Sequence, residues 1–142
     1  MQRYLGKISG PLLDRIDLHI EVEPVPFEKL SDTIPSESSE AIRLRVAAAR
    51  ALQSARFEAL DNTHYNAQMT SRQIRKYCVL DDTSMTLLKN AMERLSLSAR
   101  AYDRILKVAR TIADLEGKET LSTEHIAEAI QYRSLDREGW LG

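Results

Sequence analysis

One stretch of this sequence alternates between apolar and polar residues, and its isolation restricts the folds open to the chain. The stretch begins at Ile16, and its other apolar positions are Leu18, Ile20 and Val22. This alternation is typical of a β-strand with one buried face. A single strand leaves its backbone groups unpaired, and nothing later in the chain alternates well enough to pair with it. We therefore expect residues 1–30 to be the end of a sheet domain, in a fragment of a longer protein.

The turn before this strand contains an arginine, Arg15. Gly10 tolerates unusual backbone angles, and Pro11 has the φ that the first residue of a helix needs. We expect the turn to hold Arg15 on rigid backbone, where its guanidinium can bind an anion through two hydrogen bonds. A structural ion pair with Asp14, with Asp17 or with a residue outside this sequence explains the same spacing at least as well.

Beyond residue 31 the sequence predicts only helices. Three prolines break regular structure before that point or just after it, so we divide the chain into residues 1–30 and 31–142. Capping residues and apolar spacing predict helices from Glu37 to about Leu60, from Thr70 to Cys78, from Asp81 or Asp82 through Leu95, from Ser98 to Gly117, and from about Thr123 to Arg133. The chain is therefore predicted to be mainly α, a bundle of four or five helices preceded by one strand.

Two of these helices have a well-defined apolar face. The first is predicted to begin after an N-cap at Ser36 and to turn inward Ile42, Val46, Ala49 and Leu52, with Arg43, Arg50 and Gln53 on another face. The helix that Ser98 caps is predicted to turn inward Tyr102, Ile105, Ala109, Ile112 and Ala113. Each face indicates where the helix packs against the others.

Composition narrows the classes of function. The net charge of −1 over 142 residues provides no global attraction to DNA or to an acidic membrane, so such contacts need local patches. The single cysteine, Cys78, excludes an intrachain disulfide and suits a reducing cytoplasm. We see no apolar run of membrane-spanning length and no signal-peptide core. We expect a cytoplasmic protein that makes no membrane contact.

The residues provide little chemistry of their own. His19, His64 and His125 are scattered, without the cysteine or carboxylate spacing of a metal site, so we expect no bound metal. The sequence has no glycine-rich loop that would hold a phosphate, and no acidic motif at the end of an apolar run. We therefore do not expect this chain to be an enzyme by itself.

A group of cations occupies one predicted helix. Arg100, Arg104 and Lys107 lie roughly along one stripe, and Arg94 and Arg110 are near them in the sequence. A solvated helix face explains this spacing. Alternatively, Arg100 is a phosphate sensor in the first helical turn, where the helix dipole favours anions. In a third interpretation Arg104 and Lys107 contact phosphate or a DNA backbone, joined by Arg72, Arg75 and Lys76.

Three segments resemble a known family. They are YLGKISGPLLDRIDLHIEV at residues 4–22, LSARAYDRILKVARTIADL at 97–115 and EAIQYR at 128–133. All three are similar to segments of the magnesium-chelatase-like ATPases of the ComM (YifB) family, in the same order along the chain. The resemblance implies the helical lid of an AAA+ ATPase, with its sensor-2 helix at 98–116. The lid is preceded by the last strand of a truncated α/β core.

The resemblance also implies roles for single residues. Arg15 corresponds to the arginine finger, which acts in trans on the ATP of a neighbouring subunit. Arg100 corresponds to sensor 2, which contacts nucleotide in its own subunit. The resemblance implies that ATP and Mg²⁺ are the cofactors of the full-length protein, which hydrolyses ATP, and we expect this fragment alone to bind no cofactor. The trans arrangement implies a head-to-tail homo-oligomeric ring, usually a hexamer.

The function implied is that of a ring motor acting on DNA in recombination and transformation. The Walker A and Walker B motifs of that family are absent from these 142 residues. Two other functions remain open. One is a non-catalytic helical module that binds DNA or protein, and the other is the ATPase subunit of metal insertion into tetrapyrroles.

Overall fold

Five α-helices and one short 3₁₀ helix form the bundle in this computed structural model, which describes residues 12, 15–20, 22–27 and 36–133. The elements are α1 (Ser39–Phe57), the 3₁₀ helix (Asn66–Gln68), α2 (Ser71–Tyr77), α3 (Asp82–Arg94), α4 (Ala99–Leu115) and α5 (Thr123–Gln131). The prediction of a mainly helical chain is confirmed. The segment between α1 and α2, expected to be a loop, contains the 3₁₀ helix.

The alternating segment forms no strand in the residues that the structure describes. Its apolar side chains are far from buried, with exposed fractions of 40% at Ile16, 45% at Leu18, 65% at Ile20 and 84% at Val22. The physical reason is that a strand needs a neighbouring strand for its backbone groups, and the described residues contain none. The turn residues Gly10, Pro11 and Asp14, and the boundary at residue 31, lie outside the described residues.

Capping residues define most of the helix ends. Thr70 and Gln73 form the predicted capping box of α2, and the side chains of Asp81 and Ser98 accept backbone N–H groups at the starts of α3 and α4. Gly117 follows α4 with φ of +68°, a conformation that glycine adopts without strain. The N-cap of α1 is Ser38 rather than the predicted Ser36.

The predicted inward face of α1 is wrong over most of its length. Ile42, Val46 and Leu52 are each more than 40% exposed, whereas Gln53, predicted to lie on a polar face, is buried. Only Ala49, Gln53 and Phe57 are buried in α1, because the helix packs on α4 through its C-terminal half. The amide oxygen of Gln53 accepts the backbone N–H of Asn66 at 3.1 Å, which allows its burial.

Helix α4 is the centre of the bundle and contacts α1, α2, α5 and the 3₁₀ helix. Its predicted inward residues Ile105, Ala109, Ile112 and Ala113 are buried, and Tyr102 is half-buried. The other helices and loops contribute the buried apolar side chains of Phe57, Met69, Ile74, Leu88, Leu121 and Ile126. Apolar burial against a single central helix is therefore what holds the bundle together.

A buried carboxylate, Asp114, connects α1 and the 3₁₀ helix to α4. Arg56 donates two hydrogen bonds to it, at 2.5 and 2.8 Å, and Asn66 donates a third at 2.7 Å. The Nε of Arg110 donates a fourth at 3.2 Å, one helical turn earlier on α4. Four hydrogen bonds from two cations and an amide satisfy a carboxylate that has no solvent exposure.

Arg110 belongs to this cluster and is not part of a surface stripe. Its side chain is 2% exposed, and its guanidinium also donates to the backbone carbonyls of Lys118 and Glu119, the latter at 2.7 Å. These carbonyls belong to the loop that follows α4. Our sequence-based grouping of Arg110 with the exposed cations is therefore wrong. Arg110 points inward because Asp114 and the two loop carbonyls accept hydrogen bonds from its guanidinium.

Cys78, at the end of α2, is buried and donates to the carbonyl of Leu106 at 3.6 Å. Burial raises the pKa of the thiol to about 11, although the nearby Arg110 and Arg56 act in the opposite direction. The thiol is therefore protonated at neutral pH, which is the form that does not react as a nucleophile.

Candidate functional site

The first turn of α4 presents Arg100 to solvent. Ser98 is the N-cap, and its hydroxyl accepts the backbone N–H of Ala101 at 3.2 Å. Arg100 follows this cap directly and is exposed. In the part of the chain that the structure describes, no ion pair holds its guanidinium. A helix start has partial positive charge, so Arg100 adds a full charge where anions are already favoured.

Arg100 borders a polar cavity of about 340 Å³ on the side of α4. The cavity is lined by Asp17, Ala67, Arg100, Asp103, Arg104 and Lys107. The structure thus brings together the three cations that the sequence placed on one stripe. Three cations face two carboxylates, so the charged side chains around the cavity have a net charge of +1. The cavity favours an anion over a cation of similar size.

Two of these cations already have partners within the chain. Arg104 forms an ion pair with Asp17 through Nη1, and the ammonium of Lys107 donates to the carbonyl of Ala67 at 2.9 Å. Partial burial lowers the pKa of Lys107, and the nearby Asp103 opposes that shift. Arg100 is therefore the cation of this cavity with the most freedom to reach a ligand.

Arg15 lies apart from this cavity, although Asp17 lines it. Its backbone N–H donates to the carbonyl of Leu12 at 3.0 Å, which closes a turn. The side chain of Arg15 is exposed, and among the described residues it belongs to no ion pair. The ion pair that we considered with Asp17 is not formed, since Arg104 occupies that carboxylate. Arg15 and Arg100 thus both reach solvent, from different elements.

A second basic surface surrounds α2. A groove of about 690 Å³ is lined by Leu60, Thr70, Arg72, Gln73, Arg75, Lys76 and Tyr77. Its three cations are exposed, and the ammonium of Lys76 lies 4.9 Å from the centre of the Tyr77 ring. We refer to Arg72, Arg75 and Lys76 as the α2 basic groove.

Two of the three histidines are buried within the structure. His125 is buried, its Nδ1 accepts the backbone N–H of Ser122 at 3.0 Å, and its Nε2 lies 3.0 Å from a carboxylate oxygen of Glu116. His19 is also buried and His64 is exposed. Within the described ranges, no three His, Cys, Asp or Glu side chains are grouped to hold a metal ion. In the same ranges no helix is both long and apolar enough to cross a bilayer.

Our sequence reasoning did not identify the buried polar cluster of Arg56, Asn66, Arg110 and Asp114. One signal was present, because Arg110 and Asp114 are four residues apart and border the apolar stripe of α4. Arg56 and Asn66 could not be placed from spacing, since they reach Asp114 from other elements. These four residues connect α1 and the 3₁₀ helix to α4.

Two family models match the chain. The model described as magnesium chelatase, subunit ChlI C-terminal, matches residues 36–133, which includes all five helices. The model described as magnesium chelatase, subunit ChlI, matches residues 1–30. The first match covers well over half of the chain and shows the family directly.

Curated relatives match nearly all of the chain. YifB of Escherichia coli strain K12 is 43% identical over 136 residues, which are 95% of this chain and 26% of that protein. The competence protein ComM of Haemophilus influenzae is 42% identical over 138 residues, 96% of this chain and 26% of that protein. A Mycobacterium tuberculosis protein is 35% identical over 132 residues. The chain therefore spans about a quarter of the length of these relatives, and it belongs to the magnesium-chelatase-like family that includes the ComM and YifB proteins.

Proposed function

We propose that this chain is the lid region of an AAA+ ATPase that works as a homo-oligomeric ring, usually a hexamer, and acts on DNA. The observation that supports this best is the position of Arg100. It is an exposed arginine in the first turn of the central helix, beside a cavity with excess positive charge. Family membership supports the same assignment. We also propose a cytoplasmic location, which suits a chain whose single cysteine, Cys78, is a free thiol.

Arg100 is proposed to act in cis, as sensor 2. When bound with Mg²⁺, ATP supplies a triphosphate whose terminal group gains negative charge at its oxygens during hydrolysis. Arg100 is fixed to α4, so a guanidinium contact to that phosphate ties the orientation of the lid to the nucleotide state. The cavity residues present suit this ligand, since their excess charge is positive and Arg100 has no ion-pair partner among the described residues.

Arg15 is proposed to act in trans, as the arginine finger. Its side chain is exposed on a turn and belongs to no ion pair among the described residues, so it is placed to reach a ligand held by another subunit. A guanidinium at that position stabilises the charge that spreads over the phosphoryl oxygens in the transition state. This arrangement requires head-to-tail contacts that close into a ring.

Replacing Arg100 by alanine in the full-length protein tests the sensor assignment. We expect nucleotide affinity to fall by about 10- to 150-fold, since a hydrogen bond to a charged group contributes about 1.5–3 kcal/mol. Titration with a fluorescent ATP analogue measures this change, and Arg100→Lys should retain part of the affinity. Lys89→Ala, an exposed cation on α3, is the matched control. Normal affinity and normal hydrolysis in Arg100→Ala would favour the solvated-face interpretation.

DNA is the proposed substrate, and the α2 basic groove favours it. Three exposed cations border one groove, and the partly buried Tyr77 supplies an aromatic surface beside them. The name of the Haemophilus influenzae relative, a competence protein, agrees with a nucleic-acid substrate. The description of the matching family model supports the other candidate, an ATPase subunit of metal insertion into tetrapyrroles.

Salt dependence of DNA binding tests this choice. We expect the full-length protein to bind DNA with an affinity that falls as salt rises. Neutralising Arg72, Arg75 and Lys76 together should lower the slope of log affinity against log salt by roughly 2 to 3, about 0.9 per lost phosphate contact. The double variant Arg104→Ala with Lys107→Ala tests the contacts predicted on α4, and Lys89→Ala is the control. If no variant changes the slope, these two basic surfaces do not bind DNA.

A further inference from the structure

The segment that contains Arg15 is held against the helical bundle. The carboxylate of Asp17 pairs with Nη1 of Arg104 on α4. This Asp17–Arg104 pair lies beside the cavity that Arg100 also lines. Arg104 is one helical turn after Arg100, and Asp17 is two residues after Arg15. One ion pair thus connects the segment that contains Arg15 to the helix that contains Arg100.

Two further contacts hold the same segment to the end of α5. The backbone N–H of His19 donates to the carbonyl of Tyr132 at 2.8 Å, and a guanidinium nitrogen of Arg133 donates to the carbonyl of Ile16. His19 and Arg133 are both buried. These contacts attach the segment to the end of α5, whereas the Asp17–Arg104 ion pair attaches it to α4.

The Asp17–Arg104 pair is also partly exposed to solvent. The side chain of Asp17 is 53% exposed and that of Arg104 is 25% exposed. Ion pairs of this kind contribute little to stability, because water and salt screen them. A contact of that strength can open and close during a functional cycle, which the buried Asp114 cluster cannot do at similar cost.

We propose that Arg104 is a positioning residue, whose pair with Asp17 links the orientation of the Arg100 helix to the turn that presents Arg15. This inference rests on the proposed function, in which Arg100 contacts nucleotide in its own subunit and Arg15 contacts that of a neighbour. A movement of α4 that follows nucleotide binding then moves Asp17. It also moves Arg15, which is proposed to act on the nucleotide of the neighbouring subunit. Hydrolysis at adjacent sites becomes coupled.

The structural part of the proposal is tested by hydrogen exchange at the backbone amide of His19 in this chain. That amide donates to Tyr132, so its exchange rate reports how firmly the segment is held. Arg104→Ala and Asp17→Asn should each raise the rate by up to about fivefold, the equivalent of a 1 kcal/mol contact. The charge swap Asp17→Arg with Arg104→Asp should restore the rate. Lys89→Ala should leave it unchanged.

The functional part is tested in the full-length protein, by the dependence of hydrolysis on ATP concentration. We expect the Hill coefficient to fall towards one in both Arg104→Ala and Asp17→Asn. The charge swap should recover cooperativity. A variant that merely loses stability would not show this pattern, since reversing both charges would not repair it.

Three outcomes would overturn the inference. Unchanged exchange at His19 in both single variants would show that the pair does not hold the segment. An affinity loss in Arg104→Ala but not in Asp17→Asn would make Arg104 a direct phosphate contact. Unaltered cooperativity in both would refute the coupling while leaving the ATPase assignment intact. If the wild-type protein hydrolyses no ATP, the proposed function fails, and the exchange result then concerns only the attachment of the segment.

Discussion

Replacing Arg15 by alanine in the full-length protein is expected to lower ATP hydrolysis by about 10³- to 10⁵-fold, the range measured for arginine fingers. ATP binding should remain close to normal, because the finger acts on charge that develops in the transition state. Steady-state hydrolysis and equilibrium nucleotide binding, measured on the same preparation, separate the two effects. Arg15→Lys should recover only part of the rate, since an ammonium lacks the planar fork of a guanidinium.

Mixed rings test whether Arg15 acts in trans. A subunit with Arg15→Ala still has Arg100, and a subunit with Arg100→Ala still has Arg15. If the two arginines serve one site from different subunits, random mixing restores both at about a quarter of the interfaces. At an ATP concentration well below the dissociation constant of Arg100→Ala, hydrolysis then rises above that of either variant alone. Arg43→Ala, an exposed arginine on α1, is the control and should hydrolyse normally. A mixture no more active than its components would contradict action in trans, and normal turnover in Arg15→Ala would remove the finger assignment.

Replacing Asp114 by alanine is expected to destabilise the fold by about 3–5 kcal/mol, the cost of removing one partner from a buried charge cluster. The substitution leaves Arg110, which is 2% exposed, and the largely buried Arg56 without their carboxylate. The free energy of unfolding from chemical denaturation of this chain measures the loss. A loss below about 1 kcal/mol would show that the cluster contributes little more than a surface ion pair.

Two further variants test whether this loss of stability comes from the carboxylate of Asp114. Asp114→Asn keeps one oxygen as an acceptor but removes the charge, so it should lie between the wild type and alanine. Glu119→Ala is the matched control, because its exposed side chain is removed while its carbonyl still accepts from Arg110. It should change the free energy of unfolding by less than about 0.5 kcal/mol, as is typical of surface substitutions.

Helix positions could be predicted from the sequence because their causes are local. Thr70, Asp81 and Ser98 each lie within three residues of the backbone N–H that their side chain accepts. The inward face of α4 was predicted correctly for a related reason. This helix is central, so its whole apolar stripe meets other helices, and the periodicity alone identifies the buried side.

The same reasoning failed for α1, which meets its neighbours at one end only. Apolar periodicity shows which side of a helix can be buried, but not how much of its length has a partner. Ile42 and Val46 satisfy the pattern and remain exposed, while Gln53 is buried through its bond to Asn66. The described residues of the alternating segment likewise form no strand, since alternation cannot form a strand without a second strand beside it.

The sequence by itself determined the helical class, most helix ends, the exposed Arg100 at the start of α4 and the family to which the chain belongs. The helical features depend on residues within about four positions of one another. The family depends on motifs that follow one another in a fixed order along the sequence. Tertiary structure alone decided that Arg56 meets Asp114 across 58 positions and that Arg104 pairs with Asp17. A guanidinium pairs with a carboxylate that the packed helices bring within reach. The spacing of two residues in the sequence does not give the distance between their side chains when they lie on different elements.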